Sequence, residues 1–501
     1  MRCDSNGLFD TRPVREFLRA SRWYGYPEVM DHIDPTDLAV INDRVRAWAT
    51  PDEQIHPIRI DRVTVADDAL DALVDEVRTL SSRGQALLVV DHAPMHRAGH
   101  DLKTLIEDAL ARACKLTVRR LPEDPTQTFQ AEIEAARKLA DDLNEFAALV
   151  SLGSGSITDV AKYARHLLAE TTGRKLPFIS FPTAASVTAY TSALAVLTMD
   201  GVKRTLPAVP PDVVICDLRT LGDAPRVMTQ AGFGEVLARS VSYGDWYLAN
   251  QLGADDSFSL VPGKLLEQAE QDMVRRADGV ATGDLVAVRL VTEALLLSGL
   301  AMSIVNQTAP LSGWEHAISH FLDLTAAAAG RETALHGGQV GVATLIAARA
   351  YERAWAELDL DRLTDERDDA AYRKTIERVF QRYDTRGTML DELWRDFAKK
   401  RARWRNAADA RRHFVQRKRA GEYDEFLCHA VRPVSEIESA LREAGAPRRF
   451  ADLNEPIPRA CPCAAVRFAH LIRARFTLGD LLDESGWLDD ARADELLDES
   501  A

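Results

Sequence analysis

The sequence has few of the features that mark secreted or membrane proteins. Its 501 residues include 6 cysteines at scattered positions, too few for a disulfide framework in a chain of this length. We find no stretch near the roughly 20 apolar residues that cross a bilayer, and the first residues show no apolar core of a signal peptide. These absences predict a cytoplasmic protein that does not act in a membrane.

Basic residues are also in deficit. The chain has 62 Lys and Arg against 77 Asp and Glu, a formal net charge of −15, which argues against the positive surface of a nucleic-acid-binding protein.

Two local motifs could suggest a binding site, but neither is interpreted as one. Cys461-Pro462-Cys463 has no second pair to complete a metal site, so ordinary thiols are favoured. The basic stretch 399–419 is predicted to be a solvated helix face rather than a nucleic-acid surface.

The pattern of apolar residues divides the chain in two. Up to Asp217, short apolar runs alternate with amphipathic segments, as in a parallel sheet covered by helices on both faces. The predicted strands are 86–91, 116–118, 147–152, 177–182 and 213–217, and the predicted helices between them include 102–116 and 129–146. Past Asp217, Ala- and Leu-rich stretches predict helices at 285–304, 315–325, 339–357 and from 361 onward.

We therefore predict an α/β N-terminal domain with a parallel, Rossmann-like sheet, followed by an all-helical C-terminal domain. Residues 1–55 are predicted to be an N-terminal extension packed on the domain that follows. Residues 56–220 form the predicted nucleotide-binding domain, and residues 221–501 form the helical one. A chain of this length exceeds the roughly 250–300 residues at which single hydrophobic cores stop growing.

A glycine loop, Gly153-Ser154-Gly155-Ser156, follows a predicted strand and precedes a predicted helix. Glycines let a backbone approach a phosphate, and a helix N-terminus offers free N–H groups and the positive end of the helix dipole. A plain strand-to-helix turn is the alternative, and the residues leave both open. Asp91, at the end of an earlier strand, either holds a nucleotide ribose or caps the following turn.

Three histidines are concentrated in the helical half. His316 and His320 have the spacing of one helix face, and His336 follows far enough along for a turn and the start of a second helix. Imidazoles from neighbouring helices can converge on one divalent cation. Glu235 is a candidate anionic ligand, although it equally suits a first-turn acid or an ion pair with Arg239.

These pieces, in this order, resemble the glycerol-1-phosphate dehydrogenase family. That family belongs to the superfamily of iron-containing alcohol dehydrogenases, glycerol dehydrogenase and 3-dehydroquinate synthase. The resemblance runs from about Ala86 to the C-terminus. It rests on Gly-Ser-Gly-Ser-Ile-Thr-Asp at 153–159, Glu-His-Ala-Ile-Ser-His at 315–320, and the segments 160–163, 181–186, 203–208, 231–235, 335–337 and 468–482.

The resemblance implies a dehydroquinate synthase-like fold with the site in the cleft between the two domains. Its implied metal ligands are Glu235, His316 and His336, and the implied catalytic residues are His320, facing substrate, and Lys203. Together with Asp91, the predicted cofactor-binding residues are Gly153, Ser154, Gly155, Ser156, Asp159, Thr183, Ser186 and Lys203, the last near the nicotinamide ribose.

The implied activity is a metal-dependent, NAD- or NADP-linked oxidation of a phosphorylated polyol to its ketone. The default pair is sn-glycerol 1-phosphate and dihydroxyacetone phosphate, with one divalent ion, Zn, Ni or Fe, lowering the pKa of the alcohol. The same resemblance implies a homodimer or larger homo-oligomer and a place in phospholipid metabolism. No nucleic-acid or membrane partner is expected.

Three positions depart from the family pattern. Glu235 stands where the dehydrogenases usually have Asp, and Thr188 and Gly338 replace acidic residues near the expected substrate position. Glu is used at the metal position in the 3-dehydroquinate synthase branch, so a sugar-phosphate lyase or cyclase with transient NAD reduction is an alternative. A dehydrogenase for another polyol and a non-catalytic binding or regulatory descendant are further alternatives, because of Thr188 and Gly338.

Overall fold

The computed structural model describes residues 32–498, apart from 52, 82–83, 128, 200–201, 365–366 and 385–386. The first part of the predicted N-terminal extension, including Cys3, lies outside the described residues. The strands are β1 (Arg62–Ala66), β2 (Gln85–Asp91), β3 (His96–Arg97), β4 (His100–Asp101), β5 (Lys115–Leu121), β6 (Ala148–Gly153), β7 (Phe178–Pro182), β8 (Leu194–Met199), β9 (Val202–Pro207) and β10 (Val213–Asp217).

Among the described residues, six of these strands form one parallel sheet in the order β1-β10-β7-β6-β2-β5. Strands β2, β6 and β7 are apolar almost throughout because both faces of the sheet are covered. The helices before and between these strands are α1 (Leu38–Trp48), α2 (Leu70–Leu80), α3 (Leu102–Ala113), α4 (Ile133–Asp142) and α5 (Gly155–Thr172). Helices α2 and α3 cover one face, and α4 and α5 cover the other.

The rest of the described chain is helical. Its α-helices are α6 (Leu218–Asp223), α7 (Arg226–Leu237), α8 (Arg239–Gln251), α9 (Val261–Arg275), α10 (Ala277–Thr282), α11 (Leu285–Val305), α12 (Trp314–Ala328), α13 (His336–Ala354), α14 (Asp369–Phe380), α15 (Met389–Asn406), α16 (Ala408–Arg419), α17 (Asp424–Ala430), α18 (Val434–Glu443), α19 (Ala460–Phe468), α20 (Leu478–Glu484) and α21 (Asp490–Asp498). Short 3₁₀ helices include Leu143–Glu145 and Ala469–Ile472. The predicted fold class is confirmed.

Helix α11 corrects one expectation. Within its 21 residues, an 18-residue window has a mean hydropathy of 1.8, so a stretch long and apolar enough to cross a bilayer is present, contrary to the sequence prediction. Of that window, 78% is buried inside the protein, where it shares the main core with α7 and α9. An apolar surface all round is also what the central helix of a large core requires.

The described part of the N-terminal extension joins a core that is formed largely by the helical half. Leu38, Ile41 and Val45 of α1 join the core that contains α9 and α11. The backbone N–H of His56 donates to Ile304 O at the end of α11, at 2.7 Å. Strand β1 and the antiparallel pair β8–β9 were not predicted, and helix 129–146 is shorter than expected, with a 3₁₀ turn at its end.

The basic stretch 399–419 was predicted to be a solvated helix face, but part of it is buried. Lys400, Arg401 and Arg411 are buried. Lys400 pairs with Asp480 at 2.6 Å, and Arg401 pairs with Glu484, so carboxylates of α20 explain why these cations lie inside. Beside them, Asp483 accepts hydrogen bonds from Arg367 at 2.6 Å and Arg467 at 3.0 Å.

We predict that Asp483→Asn destabilises the protein in a pH-dependent way. Burial would raise the pKa of Asp483, but His470, Arg367 and Arg467 lower it from 3.8 to about 2. The stabilisation is therefore complete above the unfolded pKa and is lost as the pH falls through the folded value. Urea unfolding should show the variant less stable by about 2 kcal/mol at pH 7, with the gap shrinking between about pH 4 and 2.

Asp490→Asn is the matched control. Asp490 lies 3.6 Å from the same Arg467, but its side chain is 92% exposed. Its substitution should change stability by no more than about 0.5 kcal/mol. A destabilisation by Asp483→Asn that is the same at every pH would contradict the assignment.

Candidate functional site

Helices α7 and α13 cross so closely that their backbones touch. A Cβ atom at Gly337 of α13 would collide with the carbonyl oxygen of Ala231 in α7, and one at Gly234 would collide with the carbonyl oxygen of Gly337. Glycine permits this approach because it has no side chain to hold the helices apart. Glu235 and His336 are neighbours of these glycines in sequence, so the crossing brings them together.

Helix α12 adds two imidazoles at the same place. Glu235 Oε2 lies 3.7 Å from His316 Nε2 and 3.8 Å from His336 Nε2. The three possible ligand atoms all lie within 4.8 Å of one another. The ring of His320 is centred 5.2 Å from that of His336. The structure thus brings the three predicted metal ligands together, with His320 beside them.

The donor set of Glu235, His316 and His336 fits a divalent cation. Glu235 Oε2 is buried and has no hydrogen-bond donor among the described residues. Burying a carboxylate oxygen without a partner is costly, and a cation between it and the two imidazoles would remove that cost. One carboxylate and two imidazoles form a ligand set that leaves a coordination position open for substrate.

Burial and charge also set the protonation of the cluster. Burial would raise the pKa of Glu235, but His316, His336 and Lys203 hold that pKa below its ordinary value. Burial lowers the pKa of His336 to about 4 and that of His320 well below its ordinary value. For His316, burial acts downward, but Glu235 and Glu315 raise the pKa to about 9. An ionised carboxylate and a neutral His336 are the forms that bind metal.

Hydrogen bonds on the outer side of each ring fix its orientation. His316 Nδ1 donates to Glu315 Oε1 at 2.9 Å. His336 Nδ1 donates to Ser319 Oγ at 3.0 Å, and that hydroxyl donates to Gln339 Oε1, also at 3.0 Å. With Nδ1 engaged in this way, the Nε2 atom of a neutral ring presents its lone pair to the cluster.

The same hydrogen-bond chain extends to Lys203. Gln339 Nε2 donates to Asp323 Oδ1 at 3.0 Å, and Lys203 Nζ donates to Asp323 Oδ2 at 2.6 Å. The ammonium of Lys203, carried by β9, is thereby tied to the helices that hold the histidines. Asp323 and Gln339 are 3% and 1% exposed, so the link is shielded from water.

Sequence reasoning missed four residues of this arrangement: Glu315, Ser319, Asp323 and Gln339. Ser319 and Asp323 follow His316 at helical spacing on one face, and Gln339 follows His336 by one turn. That spacing was a usable signal once the two histidines were chosen as ligands. The sequence holds no signal that pairs Gln339 with Asp323 across two helices.

The glycine loop lies where the order of the strands reverses. The chain goes from β2 to β5 on one side and then returns to β6 on the other side of β2. The carboxyl ends of such neighbouring strands border the ligand crevice of an open α/β sheet. Asp91 ends β2, Gly153 ends β6, and the first turn of α5 begins at Gly155 with backbone N–H groups that lack intrahelical partners.

The loop after β7 joins this crevice to the metal cluster. Gly155 packs against Val187 of that loop, and Gly232 packs against the backbone of Ala185, one turn before Glu235. Two other predicted cofactor residues lie in the same loop. The backbone N–H of Thr183 donates to Gly153 O at 3.2 Å, and Ser186 is buried. Ser154 occupies the N-cap position of α5 without a capping hydrogen bond from its side chain, and Ser156 is exposed in the first turn.

Asp159 and Asp91 have partners inside the protein. Asp159 pairs with Lys162 at 2.9 Å and accepts a hydrogen bond from Val196 N at 3.0 Å. Its carboxylate therefore attaches strand β8 to α5, which the sequence interpretation as a cofactor residue did not include. Asp91 Oδ1 accepts from Ala93 N at 3.0 Å, the turn-capping role given above as one of its two alternatives.

Comparisons with known proteins agree with this geometry. A family model described as iron-containing alcohol dehydrogenase matches residues 64–225. Glycerol-1-phosphate dehydrogenase [NAD(P)+] of Bacillus subtilis (strain 168) is 30% identical over 330 residues, 66% of this chain and 81% of the relative. The protein of the same name from Thermococcus kodakarensis is 31% identical over 305 residues, 61% of this chain and 82% of the relative.

Solved structures show the same fold at low identity. A probable glycerol dehydrogenase from Sinorhizobium meliloti 1021 superposes with a TM-score of 0.52 at 18% identity, covering 87% of this chain and 98% of the other. An iron-containing alcohol dehydrogenase from Thermococcus thioreducens gives 0.53 at 16% identity, covering 88% and 98%. At these identities the likeness concerns the fold.

We predict that Gly337→Ala separates α7 from α13 and disrupts the cluster. The added methyl group meets backbone, which cannot move aside as a side chain can, so we expect a loss of about 1–3 kcal/mol in unfolding free energy. Zn²⁺ binding measured by calorimetry should weaken with it. Gly338→Ala is the control, because its methyl group would meet only the end of Leu453, at 3.2 Å. Equal effects of the two substitutions would refute the crossing argument.

We predict that Ser319→Ala weakens metal binding and leaves the fold intact. The substitution removes the hydrogen-bond partner of His336 Nδ1, and losing such a support typically costs about 10–100-fold in metal affinity. Competition with a chromogenic chelator would measure it. Ser298→Ala, which removes a buried hydroxyl with no hydrogen-bond partner among the described residues, should leave affinity unchanged. Unaltered Zn²⁺ affinity in Ser319→Ala would contradict the role of Ser319 in orienting His336.

Proposed function

The chain belongs to the glycerol-1-phosphate dehydrogenase family of the iron-containing alcohol dehydrogenases, and we propose that it is a metal-dependent dehydrogenase of a phosphorylated polyol. The proposed reaction interconverts sn-glycerol 1-phosphate and dihydroxyacetone phosphate with NAD or NADP. We place it in the cytoplasm as a homo-oligomer. The names of the relatives support the cofactor and the substrate pair.

The observation that carries the proposal is the buried triad of Glu235, His316 and His336 beside the crevice at the switch point of the sheet. When bound, a divalent cation supplies Lewis acidity to an alcohol or carbonyl oxygen, and a nicotinamide supplies or accepts the hydride. The protein holds Glu235 ionised and turns Nε2 of each ligand histidine inward. Gly155 begins α5, whose first backbone N–H groups lack intrahelical partners and are the proposed donors to a pyrophosphate.

His320 is the proposed proton-exchanging residue. It lies one turn from His316 on α12, and its Nδ1 is buried without a hydrogen-bond partner among the described residues. An imidazole nitrogen left free next to the ligands can accept a hydrogen bond from a substrate hydroxyl or water, provided that the substrate binds there. Lys203, held by Asp323 one turn after His320 on α12, is the proposed residue near the nicotinamide ribose.

The departures from the family pattern concern the substrate side. Gly338 faces Leu453, so the acidic residue usual at this position would have to push Leu453 aside. Thr188, 8% exposed, occupies the other position that is usually acidic. Both changes alter the expected substrate side, so a dehydrogenase of another polyol is the alternative to the proposed substrate.

We expect NADH or NADPH oxidation with dihydroxyacetone phosphate when the protein is supplied with Zn²⁺, Ni²⁺ or Fe²⁺, followed by absorbance of the nicotinamide. His316→Ala and His336→Ala should each lower bound metal below one equivalent and reduce kcat by at least about 10²-fold, because each removes a ligand. Turnover that persists in both variants would contradict the proposal that the metal is required for catalysis.

A second candidate follows from Glu235, the residue found at this position in the 3-dehydroquinate synthase branch. A lyase would release inorganic phosphate from a sugar phosphate with NAD bound and no net change in NADH. Phosphate release measured beside nicotinamide absorbance separates the two activities. Stoichiometric NADH consumption excludes the lyase.

A further inference from the structure

The segment after α19 returns the chain to the metal cluster. Its 3₁₀ helix, Ala469–Ile472, packs on α12, which carries His316 and His320. Leu471 and Ile472 are buried there, and Arg473 follows them in extended conformation. Two residues later, Arg475 donates to Thr308 Oγ1 at 2.6 Å and also to Ser312 O, just before α12 begins. Arg473 is thereby fixed beside the first turns of α12.

Other cations around Arg473 already have acceptors. Lys203 pairs with Asp323, and Arg204 pairs with Asp396 at 2.8 Å and with Glu392. Arg475 is bonded to the chain before α12, as described above. The guanidinium of Arg473, half-buried, has no hydrogen bond or ion pair within the part of the chain that the structure describes.

Arg473 follows directly on the 3₁₀ helix that packs on α12, the helix that carries His316 and His320. Burial and the charges of Arg475 and Arg204 lower the pKa of Arg473 itself to about 10, so the group remains a cation at neutral pH. A partly buried cation without an acceptor is unfavourable until an anion joins it.

We propose that Arg473 binds the phosphate group of the substrate and so selects a phosphorylated polyol or ketone over its unphosphorylated counterpart. The inference rests on the proposed function and names the residue that recognises its substrate class. A guanidinium presents a planar fork of N–H donors that matches two phosphate oxygens, which an ammonium cannot do. Placed beside α12, it would hold the phosphate end while the carbon to be oxidised faces the metal cluster.

The test compares two ketones in Arg473→Gln, Arg473→Lys and wild type, all loaded with Zn²⁺. For Arg473→Gln we expect the KM for dihydroxyacetone phosphate to rise about 10–100-fold, whereas kcat/KM for dihydroxyacetone stays within about 3-fold. Arg473→Lys should be intermediate, because it keeps the charge and loses the fork. The control, Arg219→Gln, removes an exposed guanidinium paired with Asp68 and should match wild type.

Equilibrium binding separates this inference from the proposed function. Calorimetry with inorganic phosphate and with dihydroxyacetone phosphate should show binding to wild type and its loss in Arg473→Gln, while Zn²⁺ content and the Kd for NADH stay unchanged. If wild type binds both but turns over neither ketone, the proposed reaction fails and the phosphate site stands. Failure of wild type to bind either ligand overturns the inference. So does an unchanged KM, or an equal loss with both ketones, which would indicate a structural role.

Discussion

The candidate site depends on backbone contact between two helices. A carboxylate on α7 and an imidazole on α13 meet because Gly234 and Gly337 remove the side chains that would otherwise separate the helix axes. Helix α12 then brings His316 against the same carboxylate. Close-packed interiors are not continuously deformable, so widening the crossing by even one methyl group would displace the ligand atoms. The metal site therefore depends on Gly234 and Gly337, which have no side chains, as much as on the side chains that would bind the metal.

Around that crossing, nearly every buried charge has a partner, and the exceptions are informative. Asp323 neutralises Lys203, Asp480 neutralises Lys400, and Asp483 is held by arginines. Glu235 Oε2 and the Arg473 guanidinium lack such partners in the described part of the chain. Glu235 belongs to the histidine cluster, and Arg473 follows the 3₁₀ helix that packs on α12. A site for a cation and an anionic substrate requires such unsatisfied groups before either is bound.

The sequence predicted the strands and helices that follow a strong local pattern, including the buried strands β2, β6 and β7. The family resemblance, which rests on the order of the motifs, predicted Glu235, His316 and His336 as one ligand set. The residues alone did not decide whether Glu235 is a metal ligand, a first-turn acid or the partner of Arg239. What escaped prediction depends on tertiary contacts. The sequence alone predicts that Lys400 is a surface residue. In the structure it is buried, because Asp480, far along the chain, pairs with it. The hairpin β8–β9 was missed although Asp200-Gly201, between its two strands, is a turn signal in the sequence. Asp159 acquires its role only through Val196.

The distribution of tasks along the chain bears on how such a site could change its substrate. In the proposed function, the sheet and the glycine loop hold the nucleotide, and the α7–α13 crossing brings together two of the proposed metal ligands. Arg473 comes from neither; it lies on the C-terminal segment, anchored on α12 by Leu471 and Ile472. Arg204 of β9 is held by Glu392 and Asp396 of α15, so the C-terminal helices reach back over the hairpin as well. Substitutions in this segment can alter the group that the substrate must carry without disturbing the ligands of the metal, because the two sets of residues share no hydrogen bond among the described residues.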